Sequence, residues 1–129
     1  MEKIELIYRD ECYRITGAVF GVYREIGCGF LEAVYHDCLA REFRRQNIPF
    51  ETKKMFRLHY RGELIHPVYV ADFVCYETII VEIKAVSDVA DVHKAQVLNY
   101  LKMSGLKLGL LANFGHYPNA TVDRIPNLR

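Results

Sequence analysis

The chain has 129 residues, 51% of them hydrophobic, and its 17 basic and 16 acidic side chains leave a formal charge of +1. That size and apolar content suit one compact domain over 1–129, and the near-neutral balance excludes a global field that would announce a polyanion partner. No apolar run approaches the ~20 residues of a membrane span, and no N-terminal stretch has the charged, apolar, small-residue order of a signal peptide, so a cytoplasmic protein with no membrane partner is expected.

In chain order, Ile15, Ala18, Val19, Val22 and Ile26 recur at helical spacing from about Asp10 to Ile26, with Gly27 as a left-handed stop. A second helix is read over Phe30 to Gln46 from Leu31, Val34, Tyr35, Cys38, Leu39 and Phe43, ending at Asn47-Ile48-Pro49. The period then drops to two. Phe56, Leu58 and Tyr60 alternate with Arg57, His59 and Arg61, Arg61-Gly62 suits a hairpin turn, and the chain is β from here to Lys84. Ser87-Asp88 can cap a third helix through Met103, with Val89, Val92, Gln96, Tyr100 and Met103 down one side and Gly105 at its end. Leu106 to Phe114 reads as a buried strand, and the Pro- and Asn-rich finish from Tyr117 to Arg129 holds a short edge strand near Val122 to Ile125. This order predicts an α/β fold with a mixed central β-sheet flanked by helices: the strands on either side of the third helix parallel, the earlier ones an antiparallel meander. Cys12, Cys28, Cys38 and Cys75 show neither CxxC spacing nor histidines at zinc-ligand intervals, and read as reduced thiols.

The chemistry concentrates in Thr78-Ile79-Ile80-Val81-Glu82-Ile83-Lys84, an apolar strand carrying two opposite charges. With a period of two, Ile79, Val81 and Ile83 point to one face, and Ile80, Glu82 and Lys84 to the other. Ten residues before Glu82, the segment Val68 to Cys75 holds a lone carboxylate, Asp72, which strand pairing would bring alongside it. Two carboxylates with an adjacent ammonium suit a hard divalent cation such as Mg²⁺ and the activation of a water. The structural alternative is that Asp72 ends a ladder while Glu82 and Lys84 form an ion pair on a solvated sheet face.

Asp72 followed by Glu82-Ile83-Lys84 resembles the D-x(n)-ExK signature of the PD-(D/E)XK nuclease superfamily, with Ala71 where the superfamily name implies Pro. Gly29-Phe30-Leu31-Glu32-Ala33-Val34-Tyr35 is similar to the motif that names the GxxExxY family within it, and the resemblance runs from about residue 10 to 125. It implies a restriction-endonuclease-like core and a nuclease hydrolysing phosphodiester bonds in DNA. By that resemblance Asp72 and Glu82 coordinate Mg²⁺, or Mn²⁺ in its place, with the carbonyl of Ile83 as a further ligand. Glu32 holds a water of the metal shell or a second ion, and Lys84 positions or deprotonates the attacking water. Gln96, with Tyr100 four residues on, contacts phosphate or Lys84, and His93 lines the same cleft. Tyr35 is read as packing. The other histidines, His36 among them, have no spacing that argues for ligation. A domain this small leaves sequence-specific cleavage to a homodimer or a partner protein. The rival function is a silent module that keeps the fold and binds nucleic acid or a protein; a hydrolase of small phosphate compounds would need a closed pocket. Arg41, Arg44, Arg45, Lys53, Lys54, Arg57 and Arg61 form a basic stretch whose position relative to the carboxylates separates these readings.

Overall fold

The helical stripe near the N-terminus becomes α1, Arg9–Ile26, which buries Cys12, Ile15, Ala18, Val19 and Val22; the computed structural model describes residues 7–128. The second helix, α2, spans Glu32–Arg45 and starts later than the predicted Phe30. The reason is local. Gly29 takes a φ of 107° and Leu31 is extended, while the Tyr35 hydroxyl donates to the Gly27 carbonyl (2.6 Å) and accepts the Phe30 N–H (3.3 Å). Backbone groups of the connection are thus satisfied by a side chain before the helix begins. The Tyr35 ring is fully buried and stacks on Phe114 at 4.6 Å between centroids, so packing and loop fixation account for it.

Five strands follow: β1 Phe50–Tyr60, β2 Glu63–Cys75, β3 Ile79–Lys84, β4 Leu108–Asn113 and β5 Thr121–Pro126, with α3 at Asp91–Ser104 between β3 and β4. They lie in the order β1-β2-β3-β4-β5, with β3 and β4 parallel and every other pair antiparallel, as the element order predicts. The hairpin turn at Arg61-Gly62 is present.

Two expectations for α3 need correction. The helix starts at Asp91 rather than from a Ser87-Asp88 cap, because Ala90 is extended and its N–H is taken by His93 Nδ1 at 2.9 Å. It packs through Val97 and Leu101, with Tyr100 half-buried, whereas Val92 and Gln96 of the predicted stripe are exposed. Gly109 of β4 lets this face come close, since a Cβ there would run into the Val97 side chain.

The sheet separates two cores. On one side α1 and α2 close over Phe73, Val81, Ile83 and Leu110; on the other α3 closes over Ile80, Leu111 and Ala71. Ile79, Val81 and Ile83 share the first core and Ile80 the second, the alternation expected of β3.

One irregularity sets the position of Asp72. Ala71 and Phe73 should share a face but lie in opposite cores, and Phe50 and Phe56 of β1 do the same. The pairing ladder runs Thr52 to Phe73 and Lys54 to Ala71, passing over Lys53 and Asp72, and Lys53 has a φ of 54°. Both strands therefore carry a matched kink that reverses their sidedness at Asp72. The uninterrupted alternation read from sequence fails here, because period-two patterning cannot register a residue that leaves the pleat.

Candidate active site

Beyond Phe73–Val81 the β2–β3 ladder has no further regular pair, and side chains replace it. The Asp72 N–H donates to Glu82 Oε2 at 2.7 Å, and the Ile83 N–H donates to Asp72 Oδ2 at 2.8 Å. Each carboxylate is thus held by the backbone of the other's strand, with Asp72 Oδ1 and Glu82 Oε1 outside these bonds. The alternation of peptide groups turns the Ile83 carbonyl to the same side as its N–H, toward β2.

Glu82 is only 6% exposed. Burial first, and then the like charge of Asp72, push its carboxyl up to about 8; the Asp72 N–H and Lys84 pull the other way, and Glu32 adds a small upward push. Two carboxylates held together, Glu82 buried and Asp72 half-buried, are only partly offset by Lys84, and a divalent cation is a group that would supply further counter-charge. The donor set, hard oxygens from two carboxylates and a carbonyl, would fit a hard divalent cation such as Mg²⁺. Among the described residues no group of three or more His, Cys, Asp or Glu side chains stands ready to hold a metal. Glu32, exposed at the first turn of α2, raises the Glu82 carboxyl through its charge.

Lys84 is half-buried at the end of β3. Among the described residues the ion pairs are Asp37–Arg41, Glu42–Arg45 and Glu51–Lys54, so the expected alternative of a Glu82–Lys84 pair is not formed. The loop after Lys84 is pinned by buried Asn113, whose Oδ1 accepts the Val86 and Gly115 N–H groups (3.0 and 3.1 Å) and whose Nδ2 donates to the Val86 carbonyl (2.8 Å). Gly115 sits against this loop so closely that a Cβ would collide with the backbone of Ala85 and Val86. Gly115→Ala is expected to cost ~1–3 kcal/mol as overpacking against backbone that cannot rotate away, read as a lowered thermal midpoint; an unchanged midpoint would mean the loop is not held there.

The α3 residues divide. The Tyr100 hydroxyl is pushed up to about 12 by burial, then by Glu82 and Asp72, so it stands in the field of both carboxylates and stays a donor. Gln96 is exposed one turn earlier, and the Nδ1 of His93 is occupied in closing the N-terminus of α3.

Two neighbours escape sequence reasoning. His36 stacks on Phe73 at 4.4 Å, with Nε2 3.3 Å from the Asp72 carbonyl oxygen and 3.2 Å from Thr52 Oγ1, fixing the kinked strands from the α2 side. Nothing in its spacing signals this. Asn113 could have been noticed as the polar residue closing an otherwise apolar strand. The basic stretch also splits: Arg41 and Arg45 each pair with an acid on the surface of α2 and Arg44 lies over Phe50, whereas Lys53 sits at the kink where the ladder skips both it and Asp72.

Comparison with known proteins adds an independent line. A family model described as the PD-(D/E)XK nuclease superfamily matches residues 9–125. No curated protein matches the chain. A solved structure titled "Crystal structure of SSO0001" superposes with a TM-score of 0.58 at 20% identity, over 73% of this chain and 48% of that one. At that identity the likeness concerns the fold, and this chain spans about half the length of that protein.

Proposed function

The chain belongs to the PD-(D/E)XK nuclease superfamily, and from that premise we propose that it is a Mg²⁺-dependent nuclease hydrolysing phosphodiester bonds in DNA, acting as one domain over 1–129. The observation that carries this reading is the reciprocal clamp of Asp72 and Glu82, which holds two carboxylates beside an ammonium that enters no ion pair among the described residues.

In this reading Asp72, Glu82 and the Ile83 carbonyl would hold Mg²⁺, or Mn²⁺, with Glu32 in the outer shell. The ion would supply charge neutralisation at the phosphoryl oxygens and a more acidic water. Lys84 Nζ orients that water and takes part in moving its proton. The protonated Tyr100 hydroxyl donates to a phosphate oxygen, Gln96 provides an amide at the open edge of the cleft, and His93 contributes its Nε2 to the same edge. Gly29, Glu32 and Tyr35 support assignment to the GxxExxY family, because the glycine's positive φ and the Tyr35 bonds set Glu32 at the start of α2. Four free cysteines suit the reducing cytoplasm.

The test is cleavage of single-stranded, duplex and branched DNA in Mg²⁺ by wild type and Asp72→Ala. Cleavage lost in the variant is the expected result. Mg²⁺ binding without cleavage of any of the three would favour the silent binding module.

A further inference from the structure

β1 and β2 have 11 and 13 residues against six in β3, so their ribbon continues past the end of β3, beyond Asp72. Among the described residues its inner end meets the body, where Phe56 and Tyr69 face each other across the strands and Tyr69 meets Tyr100 of α3 edge-on at 5.4 Å. Among the described residues the rest is mostly exposed, with Ile65 and Val68 half-buried. Over 53–70 the ribbon carries Lys53, Lys54, Arg57 and Arg61 against one carboxylate, Glu63, within a chain whose total charge is +1. The stretch therefore carries a net charge of +3, although Lys54 is paired with Glu51 at the start of β1. Flat or apolar side chains stand exposed among them: Leu58, Tyr60 and Tyr69, at 42%, 61% and 38%. The Arg61 guanidinium lies over the Tyr60 ring at 5.7 Å from its centroid, inside the ~6 Å reach of such a contact.

We propose that this free ribbon is the arm by which the domain grips nucleic acid, its cations on the phosphates and its exposed rings against sugars and bases. The proposal rests on the nuclease reading of the Asp72–Glu82 site. A two-stranded ribbon is of a size to enter a major groove, and aromatic rings among cations give a stacking surface for bases. Continuity with the site is structural: β2 itself carries Asp72, Lys53 lies at the same kink of the ladder, and Tyr69 touches Tyr100, which feels both carboxylates. A phosphate chain laid along the ribbon runs directly onto Asp72 and Glu82. A second copy of the chain is the other occupant that exposed apolar residues could take, but a two-fold pairing of ribbons would bring each cationic arm against its own like.

The test is fluorescence anisotropy of a labelled DNA duplex across a sodium chloride series in EDTA, with wild type, Arg57→Gln/Arg61→Gln and the control Arg41→Gln/Arg45→Gln on α2. The ribbon variant is expected to bind at least about tenfold more weakly at low salt, with the log–log salt slope shallower by ~2, and the α2 variant to bind like wild type. Circular dichroism of both variants establishes that the fold is kept. Equal affinity and slope for ribbon variant and wild type overturn the proposal, as does a ribbon variant that changes oligomeric mass in light scattering while DNA binding is unaltered. Because cleavage is not read, a wild type that proves unable to cut DNA defeats the nuclease reading without touching this result.

Discussion

Lys84→Ala is expected to bind Mg²⁺ as wild type does and to cleave DNA ~10²-fold or more slowly, the usual cost of removing a positioned proton-transfer group. The expectation follows from where the side chain stands. Lys84 shares a face with Glu82 and lowers its proton affinity through space, yet among the described residues it enters no ion pair, so its loss leaves the carboxylate clamp intact. Single-turnover cleavage beside calorimetric Mg²⁺ titration checks both halves. Loss of metal binding in Lys84→Ala would make the ammonium a structural counter-charge, and an unchanged rate would remove it from the reaction. Asp72→Asn is the companion variant: it keeps an oxygen to accept the Ile83 N–H but gives up the charge, so binding and cleavage should both fall without unfolding.

The second large effect concerns pH in the metal-free protein. Glu82 rises from 4.5 to about 8, chiefly through burial and then through Asp72, so the folded state binds its proton more tightly than the unfolded chain does. The contribution to stability is complete below the unfolded value and declines as pH climbs to the folded one. In EDTA, wild-type stability should therefore fall between about pH 5 and 8 and level off above. Glu82→Gln keeps an acceptor for the Asp72 N–H and removes the titrating charge, so it should lack this decline. At pH 8 and above it should be more stable than wild type, by on the order of a few kcal/mol. Saturating Mg²⁺ should reverse the ranking, because the ion stabilises only the protein that binds it. Urea melts of both proteins over the pH series check this, and identical pH profiles would show that Glu82 lies in a wetter site than its burial indicates.

How much of this was legible before the structure follows from which forces set each part. The stripes of α1 and α2 and the apolar runs of β3 and β4 are direct records of burial, so element order and sheet direction could be read from residues such as Ile15, Leu39, Val81 and Leu110. The charges of Glu82 and Lys84 stand out for the same reason, since a buried apolar strand rarely carries them. What patterning could not convey was the device at Asp72. The matched kinks at Lys53 and Asp72 reverse sidedness in both strands with no net change of register, and neither residue is a glycine or proline that would mark a break. The α3 boundary went astray because the N–H at Ala90 is satisfied by His93, a side chain without the usual capping signature. His36 was invisible for a third reason, its role depending on a contact between α2 and the β1–β2 kink that no local spacing encodes.

The proposed nuclease activity depends on Asp72 and Glu82 forming a divalent-cation site. Mg²⁺ titration by calorimetry on wild type and Asp72→Asn tests it most directly. Saturable binding to wild type that is lost in the variant, with both proteins folded, is the expected result. Absence of binding to wild type, or equal binding to both, would contradict it and return the carboxylates to a purely structural clamp between β2 and β3.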